Sequence, residues 1–185
     1  MTSTSFTRRL VGTGVFVFAF LFQFTLTGQV WINEFHYDNS STDMNEFVEV
    51  AGVAGTDLST YAIIFYNGSN GSEYETLNLS GTIDNEGGTG YGAVSFLEAG
   101  IQNGSPDGFA LVNGNTVVQF LSYEGSFTAT DDLANGMTST DVGVQETSST
   151  LATESLQLTG TGIAYADFGW AAPATASTSA CPATP

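Results

Sequence analysis

Phe109-Ala110-Leu111-Val112-Asn113-Gly114-Asn115-Thr116-Val117-Val118-Gln119-Phe120-Leu121 carries the clearest local signal in the chain. Two runs rich in β-branched and aromatic residues flank Asn113-Gly114. Asn-Gly supplies the positive φ angles of a tight hairpin turn, so the two runs are expected to pair antiparallel. On alternation, Val118 and Phe120 face one side of the second run, and Val117, Leu121 and Tyr123 face the other.

Outward from this hairpin the same grammar repeats. Short apolar runs lie between clusters of Gly, Asn, Asp and Ser at Val30–Tyr37, Phe47–Ala51, Tyr61–Tyr66, Thr76–Ser80, Tyr91–Leu97, Asp141–Val144, Ser155–Thr159 and Ile163–Trp170. No window keeps a helical period over three turns. Tyr61-Ala62-Ile63-Ile64-Phe65-Tyr66 is apolar on both faces, which suits a central strand. Short strands at this spacing predict an all-β fold, a two-sheet sandwich of roughly eight to ten strands. Gly87-Gly88-Thr89-Gly90 reads as a loop between strands and not as a phosphate cradle.

The ends of the chain differ from its middle. Residues 1–28 carry Arg8-Arg9, then an apolar run through Leu26, then the small and polar Thr27-Gly28. That is the order of a secretory signal peptide, and Gly12, Gly14 and Gln23 interrupt the run against a spanning helix. The expectation is an extracellular or cell-surface protein with no membrane segment after cleavage. From residue 173 onward only small residues and Pro occur, apart from Cys181, so residues 173–185 read as a low-complexity tail or linker. Cys181 is the only cysteine, so no intrachain disulfide can form. The fold must be held by its core, for which 42% hydrophobic content is sufficient.

Charge narrows the chemistry. Arg8 and Arg9 are the only basic residues apart from His36, against nineteen Asp and Glu, all beyond Thr27. Past residue 28 the chain is a polyanion without Lys or Arg. Non-specific nucleic-acid binding draws on Lys and Arg displacing counterions from phosphates, so direct nucleic-acid binding is not expected. Cations, neutral polar ligands and apolar surfaces are left as partners. Catalysis is equally constrained. One His and one Cys give no zinc set, no Gly-x-Ser-x-Gly elbow occurs, and a Walker loop needs Lys. Carboxylate pairs could cleave glycosides, but sequence does not show which converge. No catalytic residue is therefore assigned.

The ordered set Trp31-Ile32-Asn33-Glu34-Phe35, Asn45-Glu46-Phe47-Val48-Glu49-Val50, Thr56-Asp57-Leu58-Ser59-Thr60-Tyr61, Asp107-Gly108-Phe109-Ala110-Leu111-Val112, Ser155-Leu156-Gln157-Leu158 and Trp170 resembles the lamin tail domain in its secreted bacterial form. The resemblance spans residues 29–172. It implies an immunoglobulin-like β-sandwich that is not catalytic by itself. Such modules accompany secreted nucleases, phosphatases and surface proteins. The family usually closes with a Thr-Pro-Gly and Asn-Gly type segment, which Thr175–Pro185 lacks.

Glu34, His36 and Asp38 alternate along one run and are expected on one face. Asp43 and Glu46 follow a polar loop. Carboxylates converging across a hairpin loop suit Ca2+, so Glu34, Asp38, Asp43 and Glu46 are the candidate metal ligands, with a solvated acidic loop as the plain alternative. Three functions follow: a secreted, non-catalytic module that binds or tethers at the cell surface or matrix through a protein or glycan partner; an N-terminal accessory module of a secreted nuclease or phosphatase with a C-terminal enzyme domain; and a calcium-dependent glycan-binding module.

Overall fold

A computed structural model describes residues 30–178. The expected signal peptide, Cys181 and the last residues of the expected tail lie outside this range. Ten strands form two five-stranded sheets. In chain order they are β1 (Val30–His36), β2 (Phe47–Val53), β3 (Tyr61–Asn67), β4 (Ser72–Asn78), β5 (Tyr91–Leu97), β6 (Asp107–Asn113), β7 (Thr116–Tyr123), β8 (Thr140–Asp141), β9 (Glu154–Gly160) and β10 (Phe168–Thr175). One sheet has the order β10-β9-β1-β2-β5 and the other β4-β3-β6-β7-β8. All pairings are antiparallel except the short parallel contact of β8 with β7. The all-β sandwich expected from the sequence is the fold.

The core lies between the sheets and is mainly aromatic and β-branched. Ile32, Phe35, Tyr37, Val48 and Val50 from one sheet meet Ile63, Phe65, Phe109, Leu111, Leu121 and Tyr123 from the other. Phe35 packs edge-on against Phe109 at 5.0 Å and Trp170 at 5.1 Å between ring centroids. Tyr37 stacks on Tyr123 at 3.9 Å. Edge-to-face and offset pairs of this kind add to the burial term.

Both outer faces are partly covered as well. The connection after β7 folds back so that Phe127, Ala129 and Ala134 cover Ile64, Tyr66, Ala110 and Phe120. This explains why β3 is apolar on both faces. Its turn needs Gly71, whose φ is +76° and whose added Cβ would meet the Thr128 carbonyl oxygen at 2.3 Å. On the other sheet, Tyr165 and Phe168 cover Trp31, Ala51 and Leu158.

Two bulges change the expected alternation. The β6–β7 register slips between Leu111 and Val112 of β6, which leaves Val118 of β7 as the extra residue. Val117 therefore joins Phe120 on the outer face, and Val118 is 37% exposed, while Leu121 and Tyr123 stay inside. In β1 the slip lies between Ile32 and Glu34, so Ile32 and Phe35 both point inward and Glu34 and His36 point outward. The hairpin also turns one residue later than read. Asn113 pairs with Thr116, so Gly114 and Asn115 are the central pair. Gly114 alone has positive φ, +54°, the arrangement of a turn with Gly first.

The last strand runs Phe168–Thr175, later than the expected Ile163–Trp170, because Tyr165–Asp167 form a 3-10 turn. The sheet therefore includes the first residues of the stretch read as tail. Pro173 is tolerated there because β10 is an edge strand with a bulge between Ala171 and Ala174. β8 is only two residues long, shorter than the expected Asp141–Val144, and β4 begins at Ser72, ahead of the expected Thr76. β4 is an edge strand, on which Glu73 is half-buried and Glu75 exposed. With no Lys to discourage edge pairing, carboxylates take the open N–H groups. Asp131 accepts from Glu73 N on β4 at 2.8 Å, and Glu86 accepts from Ala93 N on β5 at 2.7 Å.

Candidate functional site

The connections 37–46, 98–106 and 142–153, with Glu124 and Gly125 just after β7, gather at one pole of the sandwich, tied together by side chains. Asn103 Nδ2 donates to Asp43 Oδ2 (3.2 Å), Ser105 Oγ to the Glu124 carbonyl (3.2 Å), and Tyr37 Oη to Glu124 Oε1 (3.0 Å). Two open polar grooves lie here. One, of about 370 Å3, runs between Ser105, Glu124 and Gly125 on one wall and Asp141, Gly143, Val144 and Gln145 on the other. The second, of about 290 Å3, is lined by Asn67, Ser69, Gln102–Asp107. Asp107 fixes its rim by accepting from Gly68 N (2.8 Å) and Gly104 N (2.7 Å).

Beneath the first groove sits a buried polar network. His36 is fully buried, with Nδ1 2.8 Å from Glu146 Oε1 and Nε2 3.2 Å from Asn39 Oδ1. Asn39 is held by its amide, which donates to the Ser40 and Thr42 carbonyls, while its Oδ1 accepts from Met44 N. That oxygen is therefore an acceptor for His36 Nε2. Glu146, also fully buried, accepts with Oε2 from Tyr37 N (2.6 Å) and Asp38 N (3.0 Å). Both ring nitrogens of His36 thus face side-chain oxygens, an arrangement that favours the protonated ring. Burial pushes its pKa down, but the hydrogen bond and charge of Glu146, with help from Asn39, hold it above the ordinary value. Burial keeps the Tyr37 hydroxyl protonated, well above the usual phenol range. It donates to Glu124 and accepts from Glu146 N at 2.8 Å.

The four expected metal ligands separate into two places. Glu34 is fully buried on the outer face of β1, where its carboxylate accepts from Ser155 Oγ (2.6 Å), Ser177 N (2.8 Å) and Ser177 Oγ (2.7 Å). Asp38, Asp43 and Glu46 stay near one another at the loop pole. Burial and, after it, the Asp43 charge raise the pKa of both Asp38 and Glu46, though backbone N–H donation from Gly100 partly opposes this at Glu46. Glu46 accepts from Gly100 N at 2.8 Å. Among the described residues no group of three His, Cys, Asp or Glu side chains is placed to hold a metal ion. Glu146 went unnoticed in the sequence, because Val144-Gln145-Glu146-Thr147 has no pattern that points it at a residue more than a hundred positions earlier.

No family model, curated protein or solved structure matches this chain.

Proposed function

We propose that this chain is a secreted, non-catalytic β-sandwich module that binds or tethers through its loop pole at the cell surface or in the surrounding matrix. One observation carries the reading. The single imidazole of the chain is buried and bonded at both nitrogens, so it is not available as a general base or nucleophile partner. The pole around it offers grooves lined by amide, hydroxyl and carboxylate groups, with no Lys or Arg beyond residue 9. That chemistry suits neutral polar ligands such as glycans, or cationic surfaces, and repels phosphate polyanions. The signal-like order of residues 1–28 and the resemblance to the lamin tail domain support the same reading.

The test is a glycan array with purified protein spanning residue 30 to the end, beside a panel of phosphoester and glycoside substrates. Retention on neutral or cationic glycans, weakened by Asn67→Ala or Gln145→Ala, with no turnover, is the expected result. Metal-dependent turnover that disappears in Asp38→Ala would overturn the non-catalytic reading.

A further inference from the structure

We propose that a third groove of the loop pole, between residues 43–46 and 97–99, is a receptor for a lysine side chain presented by a partner protein. The inference rests on the loop pole being the binding face, and it names a group which that face takes.

Three acidic side chains, Asp43, Glu46 and Glu98, share this groove of about 360 Å3 with the exposed apolar Met44 and Leu97. Glu46 is its centre. It is 7% exposed, its backbone carbonyl accepts from Glu98 N at 3.1 Å, and its Oε2 accepts from Gly100 N at 2.8 Å, so it joins both walls. Its other oxygen, Oε1, is buried and accepts no hydrogen bond. The Ile101 N–H favours the carboxylate from nearby without completing one. A buried carboxylate oxygen left unpaired is costly. Among the described residues there is no Lys or Arg to relieve it, and His36 has both ring nitrogens against Glu146 and Asn39. Asp43 lies near enough for its charge to act on Glu46, and Glu75 acts likewise on Glu98. The groove thus carries negative charge without a counter-charge of its own.

The open atom selects the guest. Both oxygens of Asp43 are taken, Oδ1 by Asn39 N (3.1 Å) and Oδ2 by Asn103 Nδ2 (3.2 Å), as is Glu46 Oε2. A single open carboxylate oxygen suits a point donor such as an ammonium. It does not suit a guanidinium, whose paired N–H groups seek two acceptors side by side. A Ca2+ ion takes about six to eight oxygens, and among the described residues no three His, Cys, Asp or Glu side chains are placed to hold a metal ion. The apolar flank then separates lysine from a bare amine. Leu97 is 79% exposed and Met44 56%. Together they offer a surface on which the methylenes of a lysine stem can lie while its ammonium reaches down to Glu46. An amine without such a stem leaves that surface uncovered.

The test titrates the purified, 15N-labelled chain with Nα-acetyl-lysine N-methylamide and follows the amide shifts of residues 44–46 and 97–101. Saturable binding centred on these amides is the expected result. It should be about tenfold tighter than for the Nε-acetylated analogue, for the norleucine analogue or for methylammonium, and about threefold tighter than for the arginine analogue. Met44→Ala combined with Leu97→Ala alters exposed side chains only, and should bring the lysine probe down to the affinity of methylammonium. Glu46→Gln keeps an acceptor for Gly100 N and puts an amide N–H2 in place of Oε1, and should abolish the response. Equal binding of the lysine and Nε-acetyl-lysine probes, equal binding of the arginine probe, shifts centred away from these amides, or an undiminished response in the double variant overturns the receptor. If Glu46→Gln fails to fold, the probe series and the double variant decide. Retention on a neutral glycan without a lysine response sinks the receptor and leaves the binding reading intact. Metal-dependent turnover beside a lysine response sinks the non-catalytic reading and leaves the receptor intact.

Discussion

The inter-sheet core and the loop pole are equally buried but are held by different physics. In the core, Phe35 touches Phe109, Tyr123, Tyr37 and Trp170, and almost every contact is apolar. At the pole, His36, Glu146 and Asn39 are as completely buried, yet they are held by hydrogen bonds and charge, with Tyr37 joining the two regions through its ring on one side and its hydroxyl on the other. Apolar packing is indifferent to pH and salt and degrades gradually when trimmed. A buried polar network holds firmly while every member is satisfied and fails when one is not. The difference predicts that pH acts on the stability of the pole and leaves that of the inter-sheet core unchanged.

The largest effect should come from the core. Phe35→Ala removes the ring at the centre of the aromatic cluster and leaves a cavity no neighbour can fill. A loss of about 3–5 kcal/mol is expected, with a Tm fall on the order of 10 °C, the same at pH 6 and pH 9. A strongly pH-dependent loss would break the contrast between the two regions.

Second is the alkaline limb of stability. His36 has a raised pKa, so the parent should lose about 1.4 kcal/mol for each unit by which the folded value exceeds 6.5, progressively as pH rises from 6.5 through that value. His36→Gln should be less stable at pH 6 and nearly flat across the same range. Denaturant melts at several pH values measure both. Parallel curves for the two proteins would show that another group controls the limb.

Legibility in the sequence followed the same division. The sheets were visible because strands need only local patterns: Tyr91–Leu97 and Thr116–Tyr123 fall where alternation, β-branching and turn residues put them, whereas the expected Asp141–Val144 shares only Asp141 with β8 and the expected Ile163–Trp170 only its last three residues with β10. The single-residue slips were not visible, because a bulge at Asn33 or Val118 depends on what the neighbouring strand presents. They decided which side Val117 faces. The pole was legible only in part. Placing Asp38, Asp43 and Glu46 near one another followed from one short loop, and Glu34 and His36 do share a face. What each group touches was not legible, since the partners of Glu34 are Ser155 and Ser177 and the partner of His36 is Glu146, all supplied from distant segments.

Glu34 is buried with no basic side chain against it, and Ser155 and Ser177 hold its carboxyl group by donation alone. Ser177→Ala removes one charge-assisted bond and keeps the backbone one, so a loss of about 1.5–2 kcal/mol is expected. Unlike the His36 effect, it should be unchanged between pH 6 and pH 9. Chemical denaturation at the two pH values separates the two carboxylates, and an alkaline loss of the Ser177 contribution would place Glu34 in the same network as Glu146.

The smallest expected effect lies at half-buried Asp43, beside half-buried Asp38 and buried Glu46. The Asp43 charge is one cause of the raised pKa values of Asp38 and Glu46, after burial. A carboxyl whose folded value is raised costs stability when ionised, so the fold should gain stability as pH falls through the raised values of Asp38 and Glu46 toward their ordinary 3.8 and 4.5. Asp43→Asn keeps an acceptor for Asn39 N, and the Asn103 amide can rotate to meet the new donor. The substitution should lower both neighbouring pKa values, read from carboxyl 13C shifts, and raise stability at pH 7 by at most about 0.5 kcal/mol at low salt. In 1 M NaCl, where screening acts over about 3 Å, the stability gain should vanish while the pKa shifts shrink. If Asp38 and Glu46 titrate unchanged in Asp43→Asn, burial alone raises them, and the three carboxylates are neighbours in space without being coupled in charge.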